Sequence, residues 1–239
     1  MRVLSIVHQR DAGAGVFGDA VRETGAELVE WVPSAGGPPE LDGLGAGLVF
    51  GGAMHADQEE GNPWLRREKA LLADLLARGV PVLGVCLGAQ LLSEAAGGSP
   101  RRAREPEIGW IEIELTPEGR ADPVLGTLPG RFEAFEWHSY EAGPPDDAVR
   151  LATSPVCLQA YRLARARAWG IQFHAEVTRP DVNAWLDSYD SDEDAVRIGL
   201  DPEALRSQTA PRLDAWNELG RGLAERFLAE AARAPVTPG

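Results

Sequence analysis

Val80-Pro-Val-Leu-Gly-Val85 is an unbroken apolar run of strand length, and a helix-compatible stretch begins near Gly88. A strand without polar alternation is one covered on both faces, as in a parallel sheet. The run therefore points to helices on both sides of a sheet. Earlier segments agree. Arg2 to His8 is strand-like, the Asp11-Ala-Gly-Ala-Gly15 loop follows, and Val16 to Thr24 suits a helix. Ala46 to Phe50 is a second strand ending at Gly51-Gly52, and Pro63 to Arg78 carries apolar residues at helical spacing. Strands alternating with helices predict an α/β fold with right-handed crossovers, in which ligands bind at the carboxyl ends of the strands.

Beyond this half the texture changes. Ile111 to Leu115, Phe132 to Trp137, Val149 to Ala152, Cys157 to Tyr161 and Ala168 to Phe173 all read as strands separated by turn residues. From Pro180 the chain turns helical, through an acidic stretch read as surface (Asp187 to Asp194), to a last amphipathic helix over about Pro211 to Ala232. With 239 residues and no linker or repeat, we expect one domain over residues 1–180 and a helical extension, residues 181–239, packed on it. The net charge of −14 repels phosphate backbones and anionic lipid surfaces, so neither nucleic acid nor membrane is an expected partner. No secretory signal pattern opens the chain, and its two cysteines, Cys86 and Cys157, make a poor disulfide framework, so a cytoplasmic setting is expected.

Gly84-Val-Cys86-Leu-Gly88 sits where a buried strand meets a helix, the setting of a nucleophile elbow. The sulfur would lie at the positive end of a helix dipole, which favours a thiolate, and the Leu87 N–H could bind a developing oxyanion. A free cysteine is more often a small buried apolar residue, so its partners decide. One partner is Gly170-Ile-Gln-Phe-His174-Ala-Glu176, where period two places a histidine and a glutamate on one strand face. A thiol nucleophile needs a base and a group that orients the base, and His-x-Glu supplies both. The other is Gly51-Gly52, whose turn makes Gly52 a candidate second oxyanion donor. Cys157 reads as a core residue with no charged or histidine neighbour. His8, His55 and His138 show no metal-ligand spacing, and no metal or other cofactor is expected.

Together these segments resemble the class I glutamine amidotransferases: a Gly-Gly loop, then G-x-C-x-G-x-Q, then a late His-x-Glu. Pro63-Trp64-Leu65, Glu107-Ile-Gly-Trp110 and Trp137-His138 bring the sequence nearer to the stand-alone proteins similar to the amidotransferase domain of GMP synthase, over Arg2 to about Val177. The resemblance implies a flavodoxin-like α/β fold, a mostly parallel mixed sheet flanked by helices, with an added C-terminal helical segment. It also implies hydrolysis of the glutamine side-chain amide through a γ-glutamyl thioester, the ammonia passing to a separate synthetase partner. Carried onto this sequence, Cys86 is the nucleophile, His174 the general base and acid, and Glu176 its orienting partner. Gly52 and Leu87 supply oxyanion donors, and Gln90, His138 and Ser139 help hold the substrate.

Three positions depart from the family pattern: Ala53 and Ala175 stand where proline is common, and Ser139-Tyr140 stands where related proteins often carry Gly-Asp. The last bears on the substrate. A hydrolase of γ-glutamyl peptides or other γ-glutamyl amides would use the same catalytic residues, so that alternative stays open. A non-catalytic binding module would be expected to have lost one of them. The acid of an α/β-hydrolase precedes its histidine, whereas Glu176 follows His174. No ATP-pyrophosphatase motif of the Ser-Gly-Gly type and no Walker loop is present in this sequence, so activation of an ammonia acceptor is expected to fall to a separate synthetase.

Overall fold

The computed structural model describes residues 1–233 and contains one nine-stranded sheet. Its first half is β1 (Arg2–Ile6), α1 (Gly15–Glu23), β2 (Glu27–Trp31), β3 (Leu44–Val49), α2 (Trp64–Ala77), β4 (Val82–Val85) and α3 (Leu87–Ala95). Then come β5 (Arg101–Leu115), α4 (Pro117–Ala121), β6 (Arg131–Glu141), β7 (Val149–Thr153), β8 (Leu158–Arg162) and β9 (Ala168–Ile171). The chain closes with α5 (Arg179–Asp187), α6 (Glu193–Arg197), α7 (Pro202–Thr209) and α8 (Leu213–Ala232). The sheet order is β2-β1-β3-β4-β9-β8-β7-β5-β6. β2, β1, β3, β4 and β9 run parallel, while β8, β7, β5 and β6 continue antiparallel. This is the expected mixed α/β sheet with helices.

Alternation along the central strands divides the core into two layers. Val3, Leu48, Phe50, Leu83 and Val85 face a layer with Phe17 of α1 and Trp216, Leu223 and Phe227 of α8. Leu4, Ile6, Val49 and Val82 face the other, with Leu65 and Leu72 of α2 and Leu91 and Leu92 of α3. The unbroken apolar run of β4 follows from this double cover, as all four of its residues are buried.

The structure differs from the sequence reading at three strands, β2, β5 and β9. β2, Glu-Leu-Val-Glu-Trp, is an edge strand whose first four residues are exposed or half-buried, so it lacks the apolar run that marks a covered strand. β5 begins at Arg101, ten residues before the expected strand at Ile111, because its charged first half pairs with β6 through a register shift between Arg102 and Glu107. β9 stops at Ile171 and not at Phe173. The segment beyond is held by Gln172 N–H donating to Gln159 (2.8 Å) and His174 N–H to Phe135 (2.9 Å).

Candidate active site

Cys86 follows β4 and caps α3 with φ 51° and ψ −110°, the one non-glycine positive φ among the described residues. Such backbone persists where the surroundings enforce it. Here they do so by leaving no room for side chains. A Cβ on Gly84 would lie 2.6 Å from the Gly88 carbonyl, and one on Gly88 would run into the Val49 carbonyl. The small-x-Cys-x-small spacing is thus a packing requirement at the β4–α3 junction. Leu87 is the first residue of α3, so its N–H has no intrahelical acceptor.

His174 and Glu176 are both almost fully buried, with His174 Nδ1 donating to Glu176 Oε1 at 2.8 Å. Burial disfavours charge on the imidazole. The Glu176 carboxylate and the Cys86 sulfur more than offset it, so the His174 pKa is held well above its ordinary value. A Cβ placed on Gly51 would be 2.9 Å from His174 Cε1 and 3.6 Å from the Cys86 Cβ, so both side chains flank this glycine. Cys86 and His174 border a common cavity of about 480 Å3, within the range of small-molecule sites. The ring of Trp185 from α5 stands edge-on to His174 at 4.8 Å, and the Trp216 indole N–H donates to the His174 carbonyl at 2.8 Å.

Behind the Gly51-Gly52 turn lies a buried ion pair that sequence reasoning missed, because its members sit sixty residues apart in unrelated segments. His8 Nε2 is 3.0 Å from both oxygens of Glu68, its Nδ1 donates to the Gly51 carbonyl at 2.9 Å, and Trp64 stacks on its ring. Burial opposes the charge, but Glu68 raises the His8 pKa above 6.5 overall. With the Gly51 carbonyl turned toward His8, a trans peptide directs the Gly52 N–H the opposite way. Replacing His8 by leucine strands Glu68 in the core, and a loss of about 3–5 kcal/mol is expected in urea unfolding. Because the folded pKa is raised, the stability His8 contributes is fully present below pH 6.5 and fades as pH rises through the raised value. A His8→Leu protein with an unchanged urea midpoint would contradict this.

The candidate substrate residues also border the cavity. The Gln90 amide donates to the Tyr140 carbonyl at 3.2 Å and lies 3.5 Å from Gln172 Oε1, so it braces the β6 segment. Tyr140 stacks on His55 at 4.0 Å, and its hydroxyl reaches Asp57 at 3.4 Å. The His138 ring turns to the Tyr140 carbonyl through Nδ1 (3.0 Å) and to Glu107 and Glu136 through Nε2.

Two expectations are corrected here. The acidic stretch that leads into α6 is not merely surface: Asp192, which caps α6, and Glu193 and Asp194 of its first turn border the cavity. Asp192 accepts from the Trp137 indole at 2.8 Å, and Asp194, buried, pairs with Arg102 and Arg197. Nor is Cys157 without charged or histidine neighbours, since Glu107, His138 and Cys157 converge with ligand-type atoms within 4.8 Å of one another. Their positions on β5, β6 and the residue before β8 leave no local spacing to read.

Residues 40–184 match the glutamine amidotransferase class I family. The chain belongs to that family. It is 35% identical over 159 residues to a glutamine-hydrolyzing GMP synthase of Aeropyrum pernix, covering 66% of this chain but 29% of that one. It is 30% identical to the glutamine amidotransferase-like protein YfeJ of Salmonella typhimurium, covering 74% of this chain and 77% of that one. A glutamine amidotransferase structure from Thermotoga maritima superposes with TM-score 0.84 at 28% identity, covering 95% of this chain and 98% of that one. Among the described residues of this family member, no helix is long and apolar enough to cross a membrane.

Proposed function

We propose that this amidotransferase-family chain hydrolyses the side-chain amide of glutamine through a γ-glutamyl thioester on Cys86, and that the ammonia serves a separate synthetase. The observation that carries the reading is the His174–Glu176 pair, 2.8 Å apart, bordering one cavity with a strained elbow cysteine. In this reading the Cys86 sulfur attacks the amide carbon while His174 takes the thiol proton and then passes it to the departing nitrogen. Ammonia leaves, and water, deprotonated by His174, cleaves the thioester to glutamate and restores the thiol. Glu176, bonded to Nδ1, fixes the ring so that Nε2 handles the proton. The Leu87 and Gly52 N–H groups receive the oxyanion, the second through the peptide that His8 orients. Gln90, His138 and Ser139 support the bound substrate, the first two by bracing the Tyr140 backbone. A reducing cytoplasm would keep the catalytic thiol free.

A synthetase chain is the fitting consumer, since several relatives are named as one subunit of a GMP synthase, such as that of Thermoplasma acidophilum at 30% identity. Tyr140, stacked on His55, walls one side of the cavity and favours a small leaving group. Free glutamine should therefore give a higher kcat/KM than γ-glutamyl dipeptides, this ratio being the measure of differential transition-state binding. A preference for a dipeptide would transfer the same catalytic residues to γ-glutamyl amide hydrolysis.

A further inference from the structure

Glu107 and His138 are cross-strand partners in the β5–β6 ladder, and Glu136 lies two residues before His138 on the same strand face. Cys157 reaches the same point from just before β8. All four residues are buried. His138 Nε2 is 3.2 Å from Glu107 Oε2 and 3.5 Å from Glu136 Oε2, and Cys157 Sγ is 3.5 Å from Glu107 Oε2. Tetrahedral zinc, with bonds of about 2.0–2.3 Å to nitrogen, oxygen and sulfur, sets ligand atoms about 3.3–3.8 Å apart. The spacings match.

Hydrogen bonds account for only part of the cluster. Glu107 Oε2 accepts from Ser154 (3.0 Å) and Gln159 (2.7 Å). His138 Nε2, Glu107 Oε1 and both oxygens of Glu136 are buried without any hydrogen-bond partner among the described residues. The tautomer sharpens the point. Nδ1 lies 3.0 Å from the Tyr140 carbonyl, which can only accept, so Nδ1 carries a proton and Nε2 is the ring nitrogen turned to Glu107 and Glu136. A cation between them would take up these unpartnered groups as ligands, and a histidine whose other nitrogen is anchored to a carbonyl is the usual supporting arrangement. Gln159, which donates to Glu107 and lies 3.4 Å from Cys157 Sγ, would support two ligands at once. A thiolate with an imidazole selects zinc over magnesium or calcium. A second cavity bordered by Ser154 and Cys157 gives an entry path.

We propose that Glu107, His138 and Cys157 bind a zinc ion, with Glu136 facing it, and that the ion clamps β6 to β5 and to the turn before β8. Cys157 would ligate the ion as a thiolate, since a coordinating thiol is deprotonated outright. His138 belongs to the Trp137–Tyr140 segment of β6 that borders the cavity, so the ion would hold the substrate side of the cavity in place.

The test uses the presence of only two cysteines. In a Cys86→Ala protein stripped with chelator, Cys157 is the sole thiol, so any thiolate-to-cobalt charge-transfer band on adding Co2+ reports on it alone. The expected result is such a band saturating at one equivalent, bleached by Zn2+, and lost in Cys86→Ala/Cys157→Ser, with zinc affinity falling at least about tenfold in His138→Gln. Absence of the band in the folded Cys86→Ala protein, or a band that survives loss of Cys157, would overturn the site and leave a buried hydrogen-bond network.

Discussion

Substituting His174 with alanine is expected to lower turnover of glutamine by about 10²–10⁴-fold, the usual contribution of a positioned acid–base group. In the proposed reaction the same nitrogen would serve both halves, accepting the thiol proton and delivering it to the leaving amine, so neither half would escape the loss. Glu176→Gln should lose less, because an amide oxygen can still accept from Nδ1 at the 2.8 Å separation seen for the carboxylate. What it removes is the charge that, with Cys86, outweighs burial in favouring the imidazolium. Steady-state kinetics of the two variants, with circular dichroism to verify folding, ranks the roles. Equal losses in two folded variants would make Glu176 as essential as the base and contradict the assignment.

Cys86→Ala should abolish hydrolysis, with a loss on the order of 10⁶-fold, the size seen when a nucleophile of this kind is removed. The backbone should tolerate the change, since alanine keeps a Cβ of the same reach and the glycines at 84 and 88 still clear the elbow. A Cys86→Ala protein that unfolds would attribute the loss to the fold, so its melting curve belongs beside its kinetics. A folded variant that retains turnover would remove Cys86 from the mechanism.

The elbow and its partners were legible because their chemistry is local. Gly84-Val-Cys86-Leu-Gly88 carries its own steric reason, and His174-Ala-Glu176 puts the two members of a buried hydrogen-bonded pair two residues apart. The central strands were legible for the same kind of reason: double cover forces an unbroken apolar run, as in β4. Edge and ribbon strands were not. β2 and the first half of β5 expose much of their surface and are held by ladder pairing with distant segments, which polarity patterns do not record. The wall that Trp185 and Asp192 to Asp194 add to the cavity was hidden likewise, because an N-capping aspartate reads as ordinary surface until Trp137 is seen to donate to it. The His8–Glu68 pair and the cluster at Cys157 depend on residues far apart in the chain, and no spacing rule joins them.

The central claim is that Cys86, and not Cys157, is the nucleophile. Treatment with a glutamine-like electrophile followed by peptide mapping reads this directly. Cys157 does not border the cavity shared by Cys86 and His174, and burial and Glu107 push its thiol far up, so it should not react with such a reagent, whereas Cys86 borders that cavity beside His174. One adduct per chain is expected, on the peptide containing Cys86 and suppressed by excess glutamine. An adduct chiefly on Cys157, or labelling of Cys86 that glutamine does not slow, would contradict the account.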